Sequence, residues 1–432
     1  MRKIITFLGV RPQLIKYKHQ EQIYQGQVFA EAMYQFADFD EMLVFVTEKA
    51  YQDVFPVLEK LNDTRIKPVL IPNGENQAEM WQIFEQLTNS VNEQDVLTFD
   101  ITHGLRSNPF LIFLAVAFLK SAKQVKIEAI YYGALELQPK NEKNEIIGPA
   151  PVIELSEFAS LLDWMNATDS FIKTGDGRSL ADLLKEIGEV ENLERKLTKE
   201  EESIWRSKKR IQDAAESIRK VSQALLTTLV PNVEYASHLF KIALTKAEED
   251  LAKQSPPYRM LAQRVKASYS TFALEKPMEH NLGQDLRIQL EMIRWYLDNG
   301  HIQQGITLMR EWMVTAIGYK LGQKYPQILD HKTGRRYIEG TLNRAGFQLQ
   351  LKITEPLSND DTDLLYDDAF SVLSASKEIT QFWGQLRDTR NLIDHAAMNK
   401  NWRDYKPQNV INKVMQHFKQ FDQIATQLLT ET

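Results

Sequence analysis

Five runs of mostly apolar residues punctuate the first third of the chain. They are Lys3–Leu8 (KIITFL), Met42–Val46 (MLVFV), Pro68–Ile71 (PVLI), Val96–Phe99 (VLTF) and Val125–Tyr132 (VKIEAIYY). They do not alternate strictly between apolar and polar. A strand covered on both faces, as in a parallel sheet, has this character. Helical patterns lie between them. Val28–Ala37 carries Phe29, Met33 and Phe36 at spacings of four and three, and Gln77–Val91 carries Met80, Ile83, Phe84, Leu87 and Val91. Pro109–Leu119 is apolar almost throughout, which predicts a buried helix. The alternation of strand and helix predicts a doubly wound parallel sheet, an α/β unit with its ligand at the carboxyl ends of the strands near a topological switch point.

Beyond about residue 155 the strand signals fade and the chain reads all-α. Glu189–Lys220 is dense in charge and in helix formers, and Gln254–Arg259 (QSPPYR) is a Pro-Pro break. Another irregular piece, Glu275–Asn281, holds Pro277. After it, Leu286, Leu290, Ile293 and Leu297 form one apolar stripe, and Ile306, Met309, Met313 and Ile317 form a second. Ser358–Asp368 is acidic and polar and predicts a loop or a helix start.

Composition narrows the chemistry. The chain has 432 residues, 43% hydrophobic and 25% charged, which is ordinary for a globular protein of two or three domains. A net charge of -6 excludes a uniformly basic polymer-coating protein but not a local anion site. The absence of cysteine removes disulfides, thiolate zinc sites, iron–sulfur clusters and cysteine nucleophiles. It fits a reducing cytoplasm. The opening MRKIITFLGV has an apolar run too short for a secretion signal, and no stretch reaches the length of a membrane span.

Two segments carry candidate chemistry. Asp100–Pro109 (DITHGLRSNP) follows the fourth apolar run and opens the apolar helix. Pro109 suits the first helical position, and Ser107 or Asn108 suits the cap. The free amides and dipole of such a helix end attract an anion. Gly104 permits close backbone approach, Thr102 and Ser107 bring hydroxyls, His103 a ring donor and Arg106 a fixed charge. The group suits a phosphate or nucleotide; a well-capped helix after a polar turn explains it equally well. Gly9–Gln13, after the first strand, would line the same crevice. The second segment is Arg390–His395 (RNLIDH), on a predicted helix. Asn391 and His395 share a face, and so do Arg390 and Asp394. The plain explanation is an intrahelical ion pair with a capping histidine. Arg390 and His395 lie about 140° apart around an ideal helix, so one helix does not present them together. Two helices paired about a two-fold axis could.

Taken together, these segments resemble a known architecture. KIITFLG with DITHGLR is similar to the Rossmann-like CARF sensor domain of type III CRISPR-associated proteins. RNLIDH resembles the R-x4-H signature of HEPN ribonucleases. The order in the chain resembles that of CRISPR-associated CARF–HEPN ribonucleases, with a sensor over 1–157, a helical linker over 158–283 and a HEPN domain over 284–432. The resemblance implies that a cyclic oligoadenylate, with cyclic tetra-adenylate favoured, binds across a homodimer or higher homo-oligomer. It implies contacts from Gly9, Thr102, His103, Gly104, Arg106, Ser107 and Asn108. It also implies a composite site of Arg390, Asn391 and His395 that cleaves single-stranded RNA without a metal or other cofactor. Cleavage would leave a 2′,3′-cyclic phosphate and a 5′-hydroxyl. Two other outcomes compete: a nucleotide-sensing dimer without nuclease activity, and a sensor that also cleaves its cyclic ligand.

Other basic segments compete for a role with RNA. Arg206, Lys208, Lys209, Arg210, Arg219 and Lys220 sit among glutamates and read as a solvated helical face. His331–Arg336 (HKTGRR) reads as a basic loop. Glu311 is either a helper of the nuclease site or a paired structural glutamate. Trp295, Tyr296, Trp312 and Trp383 read as core or interface residues, and the remaining histidines carry no assigned chemistry.

Overall fold

The apolar runs become five strands of an eight-stranded sheet, the run at Pro68–Ile71 forming one edge of it. In chain order the elements are β1 (Arg2–Phe7), β2 (Ile15–His19), β3 (Gln22–Gly26), α1 (Phe29–Phe36), β4 (Glu41–Val46), α2 (Glu48–Asp53), α3 (Pro56–Glu59), β5 (Ile66–Leu70), α4 (Gln77–Asn89), β6 (Val96–Asp100), α5 (Asn108–Lys123), β7 (Lys126–Gly133) and β8 (Ala150–Glu154). This computed structural model describes residues 1–190, 197–278, 282–329, 334–349, 367–373, 375–396, 398 and 402–430. The chain divides into two units, Met1–Asp163 and Trp164–Thr432.

The strand order is β3-β2-β8-β7-β6-β1-β4-β5. β1 runs parallel to both β4 and β6, with Ile5 opposite Leu43 on one side and Phe99 on the other. β5 and β7 extend the parallel core. The winding reverses between β1 and β6, and a doubly wound sheet opens its ligand crevice at such a point. Side-chain alternation splits the core in two. Ile4, Met42 and Val44 pack with Phe29 and Met33 on one face. Ile5, Phe7, Phe45, Leu97 and Phe99 pack with Ile83, Leu87, Ile112 and Val116 on the other.

Two features depart from the sequence expectation. The hairpin β2–β3 and the strand β8 form the far side of the sheet. β2 reads IKYKH, with Ile15 and Tyr17 buried and Lys16 and Lys18 exposed. It is a one-faced strand, unlike the two-faced central ones. The second departure is α5, which was expected to be buried. Ile112, Ala115, Val116 and Leu119 are, but Phe110 is 65%, Phe118 48% and Leu114 43% exposed, beside Trp81 of α4 at 64%. Uniform apolarity records that every face of a helix avoids water; it does not say that one sheet can cover every face.

Helices build the rest: α6 (Ser156–Thr174), α7 (Arg178–Ile187), α8 (Lys199–Thr227), α9 (Val230–Gln254), α10 (Pro256–Ser270), α11 (Leu282–Asp298), α12 (Ile302–Gly322), α13 (Gly334–Gln348), α14 (Ser376–Asp394) and α15 (Pro407–Thr430). A capping box of Thr198 and Glu201 starts α8. The cations of α8 are engaged by neighbours: Arg206 with Glu202, Lys209 with Asp213, Lys220 with Glu216, Arg210 with Asp250 and Arg219 with Asp182. That is the solvated face expected of a charge-rich helix. α9 ends at Gln254 and α10 starts at Pro256, as the Pro-Pro break requires. Both predicted apolar stripes, on α11 and α12, are buried. Most of Ser358–Asp368, His331–Thr333 of the basic loop, and Asn281 with its two predecessors lie outside the described residues. Among the described residues no helix is long and apolar enough to cross a membrane.

Gly133 closes β7 beneath Tyr17. An added Cβ would lie 2.8 Å from the Tyr17 ring and 2.9 Å from the Phe29 ring. Gly133→Ala should therefore cost about 1–3 kcal/mol through overpacking. Urea unfolding followed by fluorescence would read this as a lower midpoint, and an unchanged midpoint would contradict the packing described here.

Candidate functional site

The segment after β6 turns over a buried carboxylate. Asp100, the last residue of β6, is fully buried. Its Oδ2 accepts from Thr6 Oγ1 at 2.6 Å and its Oδ1 from the Thr102 amide at 2.7 Å. Burial pushes the Asp100 carboxyl upward, opposed by His103 and by these hydrogen bonds. Burial lowers the pKa of His103, against the pull of Asp100, and its Nε2 has no hydrogen-bond partner. Thr102 Oγ1 accepts from the Gly133 amide at 2.8 Å, which ties the turn to β7.

The turn then comes up against the loop after β1. Gly104 has φ +99, where a side chain is strained, and a Cβ there would lie 2.5 Å from Asn108 Nδ2 and 3.1 Å from Phe7 Cβ. A Cβ on Gly9 would lie 3.9 Å from the Gly104 amide nitrogen. The two glycine backbones thus line the crevice at the switch point between β1 and β6. Asn108 is buried with its Oδ1 unpaired. Ser107 occupies the helix cap position without a side-chain capping bond, and its Oγ lies 3.9 Å from Met80 Sδ. Pro109 takes the second helical position, not the first. Arg106 is exposed. Of the expected ligand residues, Gly104 and Arg106 are exposed, Gly9, Thr102, His103 and Ser107 are half-buried, and Asn108 is buried. Sequence reasoning passed over Thr6 and Tyr17. The Tyr17 hydroxyl is buried without a partner, with Asp100 and Glu31 near enough to add to the upward push of burial on its pKa. The small polar residue on the strand beside Asp100 was the available signal for Thr6.

The second segment closes α14. Arg390 Nε lies 2.6 Å from Asp394 Oδ2, one turn on. His395 is the C-cap: its amide donates to the Asn391 carbonyl at 3.0 Å, and its side chain is exposed. Ala396 follows at φ +51, a left-handed residue that ends the helix where glycine is usual. Arg390 and Asn391 are half-buried on the same last turns. The arrangement contains the plain ion pair and the cap together, and leaves His395 accessible.

A residue absent from the motif sets this turn. Thr389, fully buried, donates its hydroxyl proton to the Gln385 carbonyl at 3.0 Å, and its Oγ1 lies 2.9 Å from His417 Nε2 of α15. A threonine has one hydroxyl proton, so His417 must donate at Nε2. Burial, with Lys413 nearby, holds the His417 pKa below its ordinary value, which fits a neutral ring. No short-range pattern links positions 389 and 417. Glu311 is a paired glutamate, held by Arg310 at 2.7 Å and by Arg335 of α13. Arg335, from the supposed basic loop, is therefore engaged. Trp312 and Trp383 are core residues that donate to the Leu286 carbonyl and to Asn343. Among the described residues no cluster of three or more His, Asp or Glu could hold a metal ion.

Comparison with known proteins places this geometry in context. A family model described as CRISPR-associated protein MJ1674, second domain, matches residues 160–271. CRISPR-associated protein MJ1674 of Methanocaldococcus jannaschii is 23% identical over 388 residues, covering 87% of this chain and 50% of that protein. The chain thus spans about half the length of this curated relative. Among solved structures, Enterococcus italicus Csm6 bound to cyclic hexa-2′-fluoro-hexa-dAMP covers 100% of this chain and 95% of its own, at 10% identity and a TM-score of 0.46. The similarity to a CRISPR-associated protein extends across both units.

Thr389→Val deletes the hydroxyl and strands His417 Nε2 in the core. The expected loss is about 1–3 kcal/mol, with altered imidazole nitrogen resonances of His417 in NMR. Unchanged His417 resonances would contradict the assigned tautomer.

Proposed function

We propose that this chain is a type III CRISPR-associated ribonuclease gated by a cyclic oligoadenylate. The observation that carries the reading is a conjunction within one chain. The DITHGLR turn lines the switch-point crevice of a doubly wound sheet, and RNLIDH closes an exposed helix end in a helical unit. Similarity to a CRISPR-associated protein across both units supports it.

A cyclic adenylate with an even number of units has two-fold symmetry, so two copies of the crevice suit it. The exposed face of Trp81, Phe110, Leu114 and Phe118 begins at the first turn of α5, directly after the ligand segment. A second copy packed on that face would bring two DITHGLR turns near one ring. The backbone of Gly9 and Gly104 would admit it closely, and Arg106 would meet phosphate. In the helical unit, two α14 ends would meet in a second two-fold pairing. The RNA 2′-hydroxyl attacks the adjacent phosphorus and the 5′-oxygen leaves, giving a 2′,3′-cyclic phosphate and a 5′-hydroxyl. Arg390, exchanging Asp394 for phosphate, stabilises charge on the phosphorane. His395 moves a proton, and Asn391 orients the phosphate. The Arg390–Asp394 ion pair also supports the competing reading, a sensor whose helical unit does not cut RNA. Both readings meet the same assay.

With a chelator present and a panel of cyclic oligoadenylates, the unsubstituted chain should cleave a fluorescent single-stranded RNA. His395→Ala should lower the rate by about 10²–10⁴-fold while ligand affinity and particle mass stay unchanged. Ligand binding without RNA turnover under any activator would select the sensor-only reading. Phe110→Glu should shift sedimentation toward the monomer and weaken ligand binding; a dimer that persists would exclude the α4–α5 face.

A further inference from the structure

A cleft opens beside the end of α14, within the helical unit. Leu392, Ile393 and Ala396 line it, so it begins on the last turns of the helix, among the residues that include Asn391 and His395. The entry to α12 supplies His301, Ile302, Gln303 and Gln304, and the entry to α15 supplies Tyr405, Val410 and Ile411. The cleft measures about 500 Å³, which falls within the roughly 300–1,000 Å³ of small-molecule sites. Local structure sets its walls. The His301 amide donates to the Tyr296 carbonyl at 2.7 Å, and the His301 ring stacks on Trp295 with centroids 5.5 Å apart. The left-handed Ala396 turns the chain away from α14. Pro407, another lining residue, opens α15 at the position where its missing N–H costs nothing.

The chemistry of the lining is selective. Among the described residues no Asp, Glu, Lys or Arg side chain lines the cleft. It therefore holds no counter-charge for a phosphate or for a charged peptide. Leu392, Ile393, Val410 and Ile411 give it apolar walls. Tyr405, 38% exposed, brings an aromatic ring. Gln303 and Gln304, exposed and half-buried, bring side-chain amides that both donate and accept. Their main-chain amides, in the first turn of α12, have no acceptor within the helix. A nucleobase matches this combination: it is uncharged, apolar on both faces and polar along its edge. An apolar side chain from a second protein would match the walls and leave the amides unmatched.

We propose that this cleft takes one nucleobase of single-stranded RNA, next to the phosphate that is cut, with Tyr405 stacked on the base and Gln303 or Gln304 hydrogen-bonded to its edge. The inference rests on the ribonuclease reading for the identity of the ligand and adds to it the means by which a cleavage position is selected. Ala396 lines the cleft and directly follows His395. A base seated against it therefore brings its adjoining phosphate to the turn that carries His395. Stacking on an aromatic ring tolerates any base, whereas an amide that reaches a base edge discriminates between bases. Tyr405 holds the strand, and Gln303 and Gln304 choose the base.

Binding is tested on the full chain carrying His395→Ala, with short single-stranded RNA that holds one 5-iodouridine. Irradiation should crosslink that base to Tyr405, located by mass spectrometry. Adding Tyr405→Ala should weaken RNA affinity by about 5–100-fold, and Tyr405→Phe should restore it. Turnover is tested with His395 intact and a cyclic oligoadenylate present. Tyr405→Ala should raise KM more than it lowers kcat. An abasic nucleotide at the cut should cost a similar factor, and the two losses should not add. Gln303→Ala with Gln304→Ala should shrink the preference among bases at the cut by about tenfold. Crosslinks that fall only outside the cleft, additive losses, or no RNA binding would each overturn the proposal. A fall in particle mass in Tyr405→Ala would overturn it as well, because a second copy would then be the occupant. A crosslink at Tyr405 without turnover under any activator would uphold the cleft and defeat the ribonuclease reading. Should Tyr405→Ala fail to fold, the crosslink and the glutamine variant still decide.

Discussion

Close approach of two peptide backbones at the β1–β6 junction is the constraint on which the sheet unit depends. The sheet reverses its winding there, so neighbouring loops diverge and leave a crevice. Gly9 and Gly104 meet across it without side chains. The Asn108 amide lies where a Gly104 Cβ would go, so the turn and the start of α5 exclude any larger residue. Asp100 fixes the turn from below through Thr6 on the neighbouring strand and through Thr102. These bonds and close contacts hold the turn in one arrangement from three sides, through β1, β7 and the start of α5.

A comparable logic governs the end of α14, with different parts. The left-handed Ala396 stops the helix, so His395 sits at the terminus rather than along a face. One turn earlier, Thr389 and His417 pin α14 to α15 through a bond whose polarity is fixed by the single threonine proton. Phe382 and Phe421 pack around the same histidine region, which keeps it dry. Arg390 and Asn391 lie half-buried on the turn between this bond and the helix end.

The central strands β1, β4 and β6 were legible because they are covered on both faces and so read as unbroken apolar runs, whereas the edge strand β5 read as apolar although Lys67, Pro68 and Leu70 are exposed. The hairpin of β2 and β3 was not, because Lys16 and Lys18 interrupt a strand that buries only Ile15 and Tyr17. β8 carries Pro151 within APVIE, a residue that argues against a strand unless it lies beside a bulge or an irregular edge. The glycine turn at the switch point was readable from DITHGLR, since a strand, a glycine and a helix start occur within ten residues. The braces beneath it were not, because Thr6 and Tyr17 come from strands distant in sequence. In the helical unit the apolar stripes identified α11 and α12, while the Thr389–His417 bond joins positions 28 apart. Local patterns report which face a segment buries; they carry no record of which distant polar group it meets.

Among the described residues, unpaired buried polar atoms gather at two places. One is the DITHGLR turn, with the Tyr17 hydroxyl, His103 Nε2 and Asn108 Oδ1. The other is α9 and α11, with Glu234, Ser237 and Asp285. Single atoms of Gln86, Thr168 and His301 lie elsewhere, as does Arg390 Nε, whose contact with Asp394 lacks hydrogen-bond geometry. Each such atom costs about 1–3 kcal/mol if left unmatched, and well-satisfied helices such as α8 contain far fewer. A fold consistent at every level concentrates its exceptions where something else completes the bonding. At the turn, the unpaired groups belong to a segment whose Gly104 and Arg106 are exposed to solvent. On α9 and α11, Glu234, Ser237 and Asp285 are all buried. The same kind of defect therefore stands in two different settings, one beside the surface and one within a helical core.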